Sequence, residues 1–392
     1  MDRREGTMRI RAIVTALVLV PVMLLVAGCS STGGGAAPTP VAAAAVPLSP
    51  RTFRYFVYVA NTNSNNVSVY AMDAGSGALT AVAGSPFPAG TGPRGVAVDP
   101  AGKFVYVANY GSNDVSAYRI NANNGALREL DESPFAAAAG PWHLAADSSG
   151  KMIFVTNYGA DKLSAYSINA GSGALAAVRG SPFAAGSSPA GVALDQTGSF
   201  LCVANNGSRD VATYAVSSSG GAARAVRGAA VVAGVYPAGV AVDPKGKFVY
   251  VTNNGSASVS AYALGAGTGT LTPVRGSPFP TGSSPWDIVV EPAGKFVYAA
   301  NATSATVTAY SINPVTGALT AVGGSPFPAE SSPRGIAVDP TGKYVYVANY
   351  GSNNISAYAI DMGSGALSSV DGSPFPAGVR PVCVAVAAVP VQ

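Results

Sequence analysis

The chain has 392 residues, of which only 11% are charged, with 47 glycines and 29 prolines. That composition suits many short strands joined by tight turns and argues against a helical protein. Half of the formal charge of +4 comes from the first eleven residues (Arg3, Arg4, Arg9 and Arg11 less Asp2 and Glu5), and the remaining +2 or so excludes a nucleic-acid-binding surface. His143 is the single histidine, so a His-rich metal centre is excluded and neither a metal nor a cofactor is expected.

The chain starts at Met1 or Met8, and Arg9 and Arg11 precede an apolar run, AIVTALVLVPVMLLVAG, that stops at Cys29. A basic flank, a short apolar region and small residues at the boundary describe an export signal over residues 1–28. Leu25-Val26-Ala27-Gly28-Cys29 resembles the bacterial lipobox, which implies that Cys29 is lipidated and becomes the mature N-terminus. Residues 29–52 are rich in Gly, Ala and Pro and read as a flexible tether, so the domain is expected to be anchored to a membrane through Cys29. Ser30 stands where an Asp would mark inner-membrane retention in the Gram-negative sorting rule, which points to the outer membrane.

From residue 53 to 392 the chain repeats itself. Asn61, Asn109, Asn157, Asn205, Asn253, Asn301 and Asn349 are spaced 48 residues apart, and Tyr70, Tyr118, Tyr166, Tyr214, Tyr262, Tyr310 and Tyr358 keep the same step. A fixed period of this length means stacked supersecondary units. Each copy predicts four short strands: GVAVD, then FVYVAN after an Asp-Pro-Ala-Gly turn, then VSAYRI, then a variable strand such as ALREL. Seven such units in a ring make an all-β, seven-bladed β-propeller with four antiparallel strands per blade. The uniform first strand belongs near the axis and the variable fourth strand at the rim. Counting back from Pro93 gives Ala45, inside the tether, so the first blade lacks its own first strand. The orphan copy Pro381-Val382-Cys383-Val384-Ala385-Val386 at the C-terminus is expected to supply it and close the ring, giving a monomer.

The recurring YVAN, with Tyr250-Val251-Thr252-Asn253, resembles the YVTN class of propellers, which is similar to the seven-bladed lactonase family typified by 6-phosphogluconolactonase. The resemblance spans Phe53 to Val386. Members tend to carry Pro-Arg-His before an inner strand; here Pro141-Trp142-His143 keeps the His, whereas Pro93-Arg94-Gly95 and Pro333-Arg334-Gly335 keep the Arg. An acid often follows the second-strand Asn in that family, and Tyr158 stands there in this chain.

Positions that differ among near-identical copies point to a site, because the blade needs no variation for its own stability. The loop entering strand one and the loop after strand two share a face. The residue after the entry Pro runs Arg94, Trp142, Ala190, Ala238, Trp286, Arg334, Val382, and the next runs Gly95, His143, Gly191, Gly239, Asp287, Gly335, Cys383. Arg380 precedes one entry Pro and Tyr236 another; Tyr110, Tyr158 and Tyr350 follow second-strand asparagines. Most of these fall in one arc, blades six, seven, one, two and three, with Ala190 and Ala238 leaving the opposite arc bare.

Arginines converging on a channel mouth suit a carboxylate or phosphate, and Trp and Tyr rings suit a flat or sugar-like face. The competing structural reading is that they fill a wide mouth and bond neighbouring loops. His143 is the candidate general acid or base, with Asp287 as a partner carboxylate placed three blades away. Cys202 and Cys383 lie on opposite sides of the ring and are not expected to pair. The expectation is a lipid-anchored envelope propeller that binds a small or extended anionic ligand, such as a small molecule or glycan. The alternatives are a lactonase-like hydrolase using His143, and a non-catalytic scaffold for another envelope protein.

Overall fold

The computed structural model describes residues 52–391 apart from 218, 219 and 229. The expected export signal, the expected lipidation site Cys29 and almost all of the expected tether therefore lie outside the described residues. Seven antiparallel sheets follow one another along the chain, and no described residue is helical.

Blade two shows the plan. Pro93–Val98 is the inner strand, Phe104–Asn109 the second, Asp114–Ile120 the third and Leu127–Glu129 the outer strand, hydrogen-bonded in that order. A further pairing, Phe135–Ala136 against the third strand, lies in what the sequence suggested was a return loop, so the outer edge is one strand broken in the middle. The break spares the third strand an exposed edge and carries a cis Ser–Pro bond in six blades.

The second strand is buried on both faces, as its unbroken apolar run requires. Phe104 packs against the outer turn of blade three, and Phe56 against that of blade two. There Gly125 has φ 77° and an added Cβ would fall 2.2 Å from the Phe56 ring, so the turn needs Gly for both conformation and space. The repeated Tyr crosses blades instead: the hydroxyls of Tyr118, Tyr166 and Tyr358 each donate to a carbonyl on the outer strand of the preceding blade at 2.7 Å. The repeated Asn stays within its blade, with Asn109 Nδ2 donating to Asp114 and to Ser116 Oγ. Each acid after the inner strand caps its own turn; Asp99 Oδ1 accepts from the backbone N–H of Lys103 and Phe104 at 2.6 Å.

The ring closes as the register demanded. Pro381–Pro390 pairs antiparallel with Phe53–Asn61, from Phe53 opposite Pro390 to Asn61 opposite Pro381, and forms the inner strand of blade one. Both ends of the domain meet in one sheet.

Candidate functional site at the channel mouth

At the top of each inner strand the ladder slips. In blades two, three and six, Pro93, Pro141 and Pro285 pair with the second-strand Asn. The next paired residues are Gly95, His143 and Asp287, which leaves Arg94, Trp142 and Trp286 as the extra residues of a bulge. A bulge re-aims the side chains beside it. Here it sets two layers at the mouth, an upper one from the bulged residues and a lower one from the residues that follow.

In the upper layer the cations lie on rings. The Arg94 guanidinium is 4.4 Å from the Trp142 ring centroid and 5.4 Å from that of Tyr110. Arg334 is 4.4 Å from Trp286 and 3.4 Å from Tyr350, and Arg380 donates to the Tyr350 hydroxyl at 2.9 Å. Trp142 also stacks on Tyr158 with centroids 4.6 Å apart, and meets Trp286 across the mouth at 6.3 Å. Each cation–ring contact contributes about 0.5–2 kcal/mol. Burial lowers the pKa of Arg94, and lowers that of Arg334 to about 10 with help from Arg94 and Arg380 nearby. Both stay cationic at neutral pH. The Nε of each is buried without a partner, so the pair retains unused donors.

The lower layer is mostly glycine because successive inner strands nearly touch: a Cβ on Gly239 would lie 2.7 Å from Asp287 Cα. His143, Asp287 and Cys383 are the exceptions, and they line a cavity of about 30 Å³, enough for a water molecule, with Arg94, Trp142 and Trp286 above. The sequence reading set Asp287 across the mouth from His143. The crowding of the inner strands instead brings the two within electrostatic reach, so each perturbs the other. Burial lowers the His143 pKa and the Asp287 charge raises it in part. Burial raises that of Asp287, opposed by His143 and by the N–H groups of Ile288 (2.9 Å) and Ile336 (3.3 Å). His143 Nδ1 has no partner. Cys383 is buried, its thiol held against the Val96 carbonyl and pushed up to about 12 by burial, so it is no nucleophile. Cys202 is fully buried in the core, also unpaired.

Two supports of this layer escaped the sequence reading. Thr156 Oγ1 accepts from the His143 N–H (3.1 Å) and donates to the Ala190 carbonyl (2.6 Å). Thr252 Oγ1 accepts from the Gly239 N–H (2.8 Å) and reaches the Trp286 carbonyl (3.1 Å). They tie the mouth residues of adjacent blades together, and the signal was available: they stand in a column that is otherwise Ala60, Ala108, Ala204, Ala300 and Ala348.

The arc that seemed bare is where the mouth opens. Small side chains at Ala190 and Ala238 leave a cleft of about 270 Å³, walled by Trp142, Tyr158, Tyr236 and Trp286. Asn206 and Asn254 complete it, and no charged side chain lines it. Of the candidate residues, Tyr110, Tyr350 and Arg380 gather with Arg94 and Arg334, Tyr158 joins the cleft, and His143 and Asp287 lie beneath. Among the described residues no group of three His, Cys, Asp or Glu side chains is arranged to hold a metal.

The family profile described as Lactonase, 7-bladed beta-propeller matches residues 29–141, 132–283 and 274–386. The fold is similar to that of a Bacteroides uniformis protein assigned as a 6-phosphogluconolactonase (TM-score 0.75, 21% identity, covering 86% of this chain and 99% of that one). A Bacteroides fragilis protein with the same assignment gives TM-score 0.73 at 22% identity, covering 85% and 98% of the two chains. The periplasmic gluconolactonase PpgL of Pseudomonas aeruginosa gives 0.71 at 20% identity, covering 86% and 99%. No curated protein matches the sequence. Matched by its profile along the whole ring, the chain belongs to the seven-bladed β-propeller lactonase family.

Proposed function

We propose that this chain is a lactonase-type hydrolase that opens a sugar lactone at the channel mouth, displayed in the cell envelope on a lipid anchor at Cys29. The observation that carries the reading is the convergence of the single His with Asp287 on a water-sized cavity beneath Trp142 and Trp286. The family membership and the two kinds of lactonase among similar folds support it.

The chemistry follows from the groups present. Burial keeps His143 neutral at pH 7, the form that accepts a proton. His143 takes a proton from a water in the cavity as that water adds to the lactone carbonyl carbon. The oxyanion that forms faces the Arg94 guanidinium, whose Nε–H is otherwise unpaired. The carbon–ring oxygen bond then breaks, and His143 returns the proton to the departing ring oxygen. Asp287 holds the imidazolium during the cycle. The cavity and the cleft share Trp142, Ala238 and Trp286, so a ring in the cleft presents its edge to His143.

A base of this kind contributes about 10²–10⁴-fold. Purified domain and its His143→Asn variant, assayed for release of acid from δ- and γ-lactones of sugars, test the proposal. Loss of at least about a hundredfold in kcat at unchanged melting temperature is expected. Equal rates in both proteins, or no rate above spontaneous hydrolysis with any lactone, would leave a binding propeller. The unpaired guanidinium donors of Arg94 and Arg334 favour an anionic ligand for that second reading.

A further inference from the structure

The cleft on the alanine side makes a finer statement about what the site takes. Resting on the lactonase reading, we propose that the substrate is a neutral, unphosphorylated sugar lactone seated on Trp286 and selected by Tyr236, Ala238 and Asn254. A 6-phosphorylated one is selected against.

Four observations converge. First, the cleft has aromatic rings, methyl groups and amides for walls and no charge, whereas a phosphoryl group there would lose hydration without gaining a cation. The guanidiniums of Arg94 and Arg334 lie on ring faces outside the lining, and Arg209 sits against Tyr236, exposed, at 5.5 Å. Second, the two indoles are not equivalent. Trp142 has both Arg94 and Tyr158 stacked on it; Trp286 has Arg334 at 4.4 Å and, for a ring neighbour, only the tilted Trp142 at 6.3 Å. The less covered indole beside a cleft offers the C–H face of a pyranose a flat apolar surface.

Third, a large ring stands at the rim without packing to account for it. The left-handed backbone at Tyr236 (φ 53°) is common to the repeat, where the other blades carry Gly92, Gly140, Ser188, Ser284, Ser332 and Arg380, so the blade does not require Tyr there, and Tyr236 is 46% exposed. An exposed aromatic residue on a cleft wall is placed to meet a ligand. Fourth, hydrogen-bonding capacity is left over. Asn254 Nδ2 donates to the Pro285 carbonyl at 3.3 Å, and among the described residues neither its Oδ1 nor the Tyr236 hydroxyl has a hydrogen-bond partner. An amide oxygen and a phenol suit neutral hydroxyls. The volume, about 270 Å³, lies just under the ~300–1,000 Å³ of clefts that hold drug-sized ligands, which suits one ring and not an oligosaccharide.

The chain has two tryptophans, and both border the cleft, so intrinsic fluorescence reports on it directly. Titration with D-glucono-1,5-lactam, a neutral analogue that water does not open, should change the emission saturably, and its 6-phosphate should bind at least about tenfold more weakly. Tyr236→Gly should keep or raise the melting temperature while weakening lactam binding by about tenfold or more. Ala238→Phe, which fills the cleft at a position where the repeat elsewhere accepts Trp or Arg, should abolish the response. No response to the lactam, tighter binding of the phosphate, or unchanged titrations in both variants would overturn the proposal. Lactam binding without turnover of any lactone would sink the hydrolase and leave the seat standing. Turnover unaffected by Ala238→Phe would do the reverse.

Discussion

Deleting Pro381 to Gln392 tests the closure on which the mouth depends. The segment supplies the inner strand of blade one, pairing over nine residues with Phe53–Asn61. It buries Val382, Cys383, Val384 and Val389, each at most 6% exposed. At ~1.5–3 kcal/mol for each such side chain, the loss is about 6–12 kcal/mol before the unpaired backbone is counted. A domain's whole stability is only about 5–15 kcal/mol. The truncated protein is therefore expected to be unfolded or aggregated at 25 °C by circular dichroism and size-exclusion chromatography, and a synthetic peptide of residues 381–391 should rescue part of the fold. A truncated domain that melts within about 2 °C of the parent would refute the argument, because a ring lacking one inner strand cannot match the closed one.

Met152→Phe should stabilise the domain by about 1 kcal/mol, raising the melting temperature by about 2 °C in a thermal scan, because six other blades have Phe or Tyr at this position and Met152 borders a groove of about 550 Å³ into which a ring can extend. Arg94→Ala combined with Arg334→Ala should leave the ring folded, since Ala190 and Ala238 hold the same position, and should lower kcat for lactone hydrolysis about a hundredfold; any rise in melting temperature produced by phosphate or citrate should vanish with it. Cys29→Ser should shift the protein out of the membrane fraction and remove the acyl mass from it, and unchanged fractionation and mass would dismiss the anchor.

The blade plan was legible because the 48-residue period carries every strand, turn and cap in step, and the missing first strand of blade one pointed to the tail. The mouth residues were legible as the positions where copies differ. What the columns could not show was distance across the ring. Asp287 and His143 are three blades apart around the ring yet line one cavity and act on each other's charge, because the glycines of the lower layer let the inner strands close up. The arginines read as open binding groups, but the bulges turn Arg94 and Arg334 onto the rings of Trp142 and Trp286. Ala190 and Ala238 read as emptiness, and emptiness beside two indoles is a cleft. The broken outer strand was hidden because two paired residues, Phe135–Ala136, carry no alternation to detect.

The pH dependence of kcat/KM in the parent and in Asp287→Asn tests the catalytic pairing most directly. Burial lowers the His143 pKa below its ordinary 6.5, so the free enzyme's acid limb should lie below pH 6.5, with activity lost as pH falls and the imidazole takes up a proton. The Asp287 charge raises that pKa, so Asp287→Asn should move the limb to lower pH. An acid limb above pH 6.5 in the parent, or a limb that moves upward in the variant, would contradict the assignment of His143 as a base supported by Asp287.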